Sequence, residues 1–108
     1  MPPIVIEAHE WKQLTAILRE HLTDHAVWAF GSRATGERVW RFSDLDLAVG
    51  GEALPLGERA RLVEALNESL LPFKVDVVEL AMVTPEFRAR IEPDFVPVQD
   101  ASVTAAGE

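Results

Sequence analysis

The 108-residue sequence contains no cysteine, which excludes both a disulfide framework and a zinc site built on thiolates. It also has no apolar run long enough to cross a membrane. The N-terminus lacks the basic region and long apolar segment of a secretion signal. A cytoplasmic location and no membrane partner are therefore expected.

Positive charge is scarce, with 10 Lys and Arg residues against 18 Asp and Glu residues and a net charge of −8 at pH 7. Proteins that grip a nucleic-acid backbone usually present a basic surface. Direct binding of long DNA or RNA is therefore not expected. An acidic protein that handles a phosphate compound usually recruits metal ions, and it can also dock onto a basic partner.

Hydrophobic periodicity predicts one domain over residues 1–99, in which a β-sheet packs against helices, followed by a disordered tail at 100–108. Strand pairing and direction stay open at this stage. Helix 56–71 has an apolar stripe of Leu62, Val63, Leu66 and Leu70, and Pro97 disfavours a central position for the last strand. The predicted elements are helices at 7–23, 56–71 and from the Thr84 N-cap to about 91, and strands at 26–30, 44–49, 74–80 and 95–99.

Three aspartates stand in strand-like sequence. Asp44 and Asp46 would share one face of a strand, because alternate side chains of a strand point the same way. Asp76 is a lone acid within an apolar strand, where a charge is costly unless it faces a partner or a metal. If the two strands are neighbours, the three carboxylates meet. Oxygen ligands suit Mg²⁺, and two such ions about 3.5–4 Å apart serve in-line phosphoryl displacement.

The segment Gly31-Ser32-Arg33 follows a predicted strand and enters a turn. Glycine permits close backbone approach, and the serine hydroxyl and following amides can donate to phosphate oxygens. Arg33 or Arg38 would add a charged contact. Taken singly, each motif is more often structural: a D-x-D pair in a solvated turn, a Gly-Ser in a loop, an Asp76 paired with an arginine.

In combination these motifs resemble the nucleotidyltransferase superfamily of DNA polymerase β. Gly31-Ser32 is followed after eleven residues by Asp44-x-Asp46, and then by Asp76. The stretches FGSRATG, SDLDLAV and LPFKVDVVEL are similar to its smallest bacterial branch, the minimal nucleotidyltransferases, over residues 7 to about 99. The resemblance implies an α+β fold with a mixed sheet packed against helices.

The resemblance also implies roles for individual residues. Gly31 and Ser32, with Arg33 beside them, would bind the triphosphate of ATP. Asp44 and Asp46 would ligate two Mg²⁺ ions, and Asp76 would ligate one of them and help to deprotonate the attacking hydroxyl.

Members of this branch are often antitoxins that silence a HEPN-domain ribonuclease toxin by transferring AMP from ATP to one of its tyrosines. Two alternatives stay open: a non-catalytic module that neutralises its partner by occlusion, and a transferase for a small molecule such as an antibiotic. The absence of a second, substrate-binding domain disfavours the latter.

Trp40 and Phe42, between the motifs, would flank a nucleotide base, pack on a partner, or fold back over the sheet edge.

Overall fold

The computed structural model describes residues 1–101, so residues 102–108 of the predicted tail lie outside the described part of the chain. Four strands, four helices and one 3-10 turn at Glu92–Asp94 make up the fold of that part. The helices are α1 (Ala8–His21), α2 (Ser32–Thr35), α3 (Leu56–Asn67) and α4 (Pro85–Ile91). The strands are β1 (Val27–Phe30), β2 (Leu45–Val49), β3 (Val75–Glu79) and β4 (Val96–Gln99).

The strands form one mixed sheet in the order β3-β2-β1-β4. Strand β1 runs antiparallel to both β2 and β4, whereas β2 and β3 are parallel and joined through α3. The expected α+β fold is thus confirmed. Pro97 lies on the edge strand β4, where its missing N–H costs no central ladder bond, as predicted.

The two faces of the sheet are covered differently. Helices α1 and α3 cover one face, and the core there includes the fully buried Leu14, Leu18, Leu47 and Leu62. Helix α4 and the 3-10 turn pack against the other face, where a smaller apolar cluster forms around Phe30. Because side chains alternate along a strand, the acids between the buried residues of β2 and β3 must lie on this second face. Sheet alternation therefore decides where the acids project.

Local side-chain contacts set the helix ends. The Thr84 hydroxyl accepts a hydrogen bond from the Phe87 amide at 3.1 Å, which confirms Thr84 as the N-cap of α4. None of the helices in residues 1–101 is long and apolar enough to span a membrane.

Helix α3 is shorter than predicted. It ends at Asn67, because the Ser69 hydroxyl donates to the Leu66 carbonyl oxygen at 2.6 Å and turns the chain away from the helix. Leu70 was expected on the buried stripe of this helix, but it is 87% exposed. That part of the prediction is wrong.

Candidate active site

Asp46 and Asp76 occupy matching positions on neighbouring strands. They are register partners in the parallel β2–β3 pair, where strands lie about 4.8 Å apart, so both carboxylates project from the same face. The predicted 44–49 strand begins one residue later than expected, at Leu45. Asp44 therefore lies just ahead of β2, and it is exposed. The structure brings two of the three predicted metal ligands into direct adjacency and places the third beside the strand end.

The three acids repel one another. The pKa of Asp46 is raised from its ordinary value of 3.8, first by burial and then by the charges of Asp76 and Asp44. Lys74 offsets part of this charge, with its Nζ 3.4 Å from Oδ1 of Asp76. Both members of that pair are well exposed, so the pair adds little stability. Asp76 is thus paired with a lysine, and not with the arginine considered from the sequence.

Gly31 lies where the Gly31-Ser32 turn meets the strand that carries Asp46. Its φ of 78° and ψ of −162° fall in a region that is essentially restricted to glycine. A Cβ at this position would stand 2.5 Å from Oδ2 of Asp46, so the carboxylate rests against the Gly31 backbone. Ser32, the first residue of α2, follows directly and is half-buried. The Gly-Ser turn and the D-x-D strand therefore meet in one place.

Arg33 has a buried side chain, and most of its hydrogen-bonding capacity is taken up within the protein. Its side chain is 5% exposed, and four of the five N–H donors of a guanidinium are already used. The charged contact expected from the Arg33 side chain to the triphosphate is therefore corrected: the guanidinium holds backbone carbonyl oxygens, and a role of the Arg33 amide in nucleotide binding stays a prediction. The acceptors are the carbonyl oxygens of Val5, Trp40, Arg41 and Ser43.

The loop between the motifs presents two aromatic side chains to solvent. Trp40 is 76% exposed and Phe42 is 64% exposed, so the possibility that they fold back over the sheet edge is wrong. The loop backbone itself is well held. The Ser43 amide donates to the Trp40 carbonyl oxygen at 3.0 Å, and the Trp40 amide donates to the Ser43 hydroxyl at 2.7 Å. The loop backbone is thus held by two hydrogen bonds, while both aromatic rings remain accessible to solvent.

A cleft of about 790 Å³ lies beside this loop, but none of the three aspartates lines it. Its walls come from the N-terminal residues 1–7, the 39–42 loop, Glu10, Arg33, Pro72 and Phe73. The acid-bearing face is an open surface next to it. The cleft and the aspartates are therefore separate features of the molecule.

The donor chemistry of the acidic face fits a hard divalent cation. Within residues 1–101, no three Asp, Glu, His or Cys side chains are already grouped as a complete metal site. The adjacent carboxylates of Asp46 and Asp76 nevertheless supply oxygen-only ligands, and a cation would relieve the repulsion that raises the Asp46 pKa. Asp44 stands close enough to contribute to that shift.

Sequence reasoning missed two supporting residues, Ser43 and Phe73. Ser43 closes the loop ahead of Asp44, and the Phe73 ring lies 4.2 Å from the Arg33 guanidinium carbon. A serine directly before the D-x-D motif was a turn signal that was available in the sequence. Phe73 gave no such signal, because its contact spans forty residues of chain.

Comparison with known proteins supports the arrangement. The sequence model of the polymerase β nucleotidyltransferase family matches residues 12–96. A curated relative from Haemophilus influenzae, the probable protein adenylyltransferase MntA, is 39% identical over 100 residues. That alignment covers 92% of this chain and 87% of the relative.

Solved structures share the fold at lower identity. One, a toxin–antitoxin with AMP-PNP, matches with a TM-score of 0.70 and 23% identity, covering 85% of this chain and 74% of its own. Another, a tri-AMPylated Shewanella oneidensis HEPN toxin in complex with MNT antitoxin, matches with a TM-score of 0.66 and 19% identity. It covers 89% of this chain and 74% of the other. At these identities the likeness shows the fold alone.

Proposed function

Because the chain belongs to the polymerase β nucleotidyltransferase family, we propose that it is a protein adenylyltransferase that moves AMP from ATP to a tyrosine of a partner. The proposed partner is a HEPN-domain ribonuclease toxin, and the chain acts as its antitoxin. The name of the Haemophilus influenzae relative supports the activity, and the toxin–antitoxin structures of the same fold support the pairing. One observation carries the proposal: Asp46 is the register partner of Asp76 across β2–β3, and its Oδ2 lies where a Cβ on Gly31 would collide with it.

The proposed metal ligands are Asp44, Asp46 and Asp76, which would hold two Mg²⁺ ions. When bound, such ions neutralise charge on the phosphates and favour in-line displacement. Asp46 and Asp76 suit this role because they project from one face, and the charges of Asp76 and Asp44 help to raise the pKa of Asp46. A protein with a net charge of −8 needs such a counter-charge to approach a triphosphate.

Gly31 and Ser32 are the proposed phosphate-binding residues. The missing side chain of Gly31 leaves room for close approach beside Asp46, where any Cβ would collide. The Ser32 hydroxyl and the backbone amides of Ser32 and Arg33, at the start of α2, are the proposed donors to phosphate oxygens. The next two amides, of Ala34 and Thr35, already donate to the Gly31 carbonyl oxygen. The Arg33 side chain has no part in this contact, because its guanidinium is committed to backbone carbonyl groups.

The proposed reaction is an in-line displacement at the α-phosphorus of ATP. The tyrosine oxygen of the acceptor forms a bond to that phosphorus, and the bond from phosphorus to the pyrophosphate oxygen breaks. Pyrophosphate leaves with the bonding electrons. The proton of the tyrosine hydroxyl passes to the Asp76 carboxylate, which is part-exposed and so open to an acceptor.

The decisive test replaces Asp44 and Asp46 together by asparagine. Amides are poor substitutes for carboxylates on a hard cation, so transfer should fall by orders of magnitude while the fold is kept. The wild type, ATP, Mg²⁺ and the partner toxin are incubated, and the toxin is weighed by mass spectrometry. The matched control removes two charges elsewhere, with Asp24→Asn and Asp100→Asn at exposed positions, and it should transfer normally.

Three outcomes distinguish the adenylyltransferase from an occluding module and from a small-molecule transferase. Loss of added mass together with loss of protection in cells supports an adenylyltransferase antitoxin. A double variant that still protects cells would show that neutralisation is occlusion of the toxin. A wild type that modifies an aminoglycoside but not the toxin would identify a small-molecule transferase.

A further inference from the structure

We propose that Arg33 is the positioning residue of this site, which fixes the segment carrying Asp44 against the helix that carries Ser32. The inference rests on the proposed function for its effect on transfer, but its structural part stands alone. Arg33 follows Ser32 directly in α2, so the residue that would touch phosphate and the one that holds the acidic segment are neighbours in the chain.

Arg33 holds the loop ahead of β2 by hydrogen bonds. Arg33 Nε donates to the Ser43 carbonyl oxygen at 2.7 Å, and one terminal nitrogen donates to those of Trp40 and Arg41 at 3.2 and 3.1 Å. The last of these acceptor residues, Ser43, immediately precedes Asp44. The guanidinium therefore sets the path by which the chain enters the acidic strand.

Arg33 also contacts the segment that leads into β3. The Phe73 ring lies 4.2 Å from the Arg33 guanidinium carbon, and Phe73 is buried two residues ahead of the strand that carries Asp76. A cation over an aromatic face is attracted by the ring quadrupole. Arg33 thus contacts the segment leading into each acid-bearing strand.

A third contact anchors Arg33 itself. Its remaining terminal nitrogen donates to the Val5 carbonyl oxygen at 2.7 Å, and the Val5 amide returns a bond to the Arg33 carbonyl oxygen at 2.7 Å. The N-terminal segment therefore fixes Arg33 through its side chain and its backbone. These hydrogen bonds need the planar guanidinium of arginine, because the single ammonium group of a lysine cannot reach carbonyl oxygens spread over a loop and the N-terminal segment.

The bland alternative is that Arg33 only stabilises the fold. Arg59 offers a matched control, because its guanidinium also joins separate segments, with bonds of 2.9 Å to the Glu79 carboxylate and to the Val77 carbonyl oxygen. Arg59 lies in α3, so it approaches β3 from the sheet face opposite to the one from which Asp46 and Asp76 project. A residue that only stabilises the fold would behave like Arg59.

The experiment compares Arg33→Lys with Arg59→Lys in the full chain. Amide hydrogen exchange is measured without nucleotide, and the Mg²⁺ concentration for half-maximal AMP transfer and the KM for ATP are measured with the partner toxin. In Arg33→Lys, amides of residues 40–46 should exchange at least about tenfold faster, a loss of roughly 1.4 kcal/mol of local opening free energy. The Mg²⁺ requirement should rise more than the KM for ATP. Arg59→Lys should leave the exchange of 40–46 and the Mg²⁺ requirement unchanged.

Equal exchange of residues 40–46 in the two variants, or an unchanged Mg²⁺ requirement in Arg33→Lys, would overturn the proposal. If Arg33→Lys does not fold, Phe73→Leu decides: it removes the ring and keeps the hydrogen bonds, and it should accelerate exchange at the same amides. No acceleration there would also overturn it. If the wild type transfers no AMP, the proposed function fails, while the exchange result still decides whether Arg33 orders this loop.

Discussion

Gly31→Ala should destabilise the protein through two separable effects. The first is the backbone, because φ of 78° with ψ of −162° is a conformation that alanine avoids at a cost of about 1–3 kcal/mol. The second is the new methyl group, which would stand 2.5 Å from Oδ2 of Asp46. The carboxylate has to rotate away, and an off-rotamer side chain costs about 0.5–1.5 kcal/mol. The total loss in free energy of unfolding should be about 1.5–4.5 kcal/mol.

Asp46→Ala separates the two effects, because it removes the atom that the methyl group meets. Gly31→Ala in that background should cost only the backbone part. The coupling energy between the two sites should then be about 0.5–1.5 kcal/mol. Urea denaturation of the wild type, both single variants and the double variant in EDTA would measure it.

Gly36→Ala is the matched control for the backbone effect. Gly36 also has a positive φ, of 81°, but its nearest outside atom is Cγ2 of Val5 at an ordinary 3.8 Å. It should cost about 1–2 kcal/mol in either background, without coupling to Asp46. If Gly31→Ala costs the same with and without Asp46, the carboxylate does not rest against the glycine and the description of the site is wrong.

Three further predictions concern ligands and pH. ATP should bind more tightly with Mg²⁺ than with EDTA, and equal affinities by calorimetry would contradict the two-metal proposal. Ser32→Ala should weaken ATP binding by about 1–3 kcal/mol without unfolding the domain, whereas unchanged affinity would make Ser32 structural. Because the pKa of Asp46 is raised, its ionisation costs stability in the metal-free fold as pH rises through that pKa. Asp46→Asn should therefore be more stable than the wild type at neutral pH, and its advantage should shrink as pH falls towards 3.8. A constant advantage in denaturation experiments across this range would contradict the cause assigned to the shift.

Much of the fold followed from local patterns, and the failures had two causes: one local side-chain contact and several contacts between residues distant in the chain. Alternation placed Asp46 on the face opposite Leu45 and Leu47, and the Thr84 cap was read directly from the sequence. The end of α3 was misplaced because one hydroxyl, that of Ser69, captures a helix carbonyl.

The role of the Arg33 side chain was wrongly predicted because its partners are distant in the chain. An arginine after a Gly-Ser turn suggests a phosphate ligand, but its partners lie up to 40 residues away, at Val5, Ser43 and Phe73. The pairing of β2 with β3, which brings Asp46 beside Asp76, likewise depends on topology and not on the composition of either strand. Except for the end of α3, the features that were not predicted depend on residues that are distant in the chain.

The matched positions of Asp46 and Asp76 also bear on how reliably the sheet assembles. If β3 paired with β2 one residue out of step, its side chains would exchange faces, and Asp76 would enter the apolar layer beneath α3. An unpaired carboxylate there is far costlier than the crowding of acids on the open face. The acids therefore penalise misregistered chains more heavily than the native one. A variant with asparagine at these positions should lose fidelity of strand pairing during folding, even where its final structure is more stable.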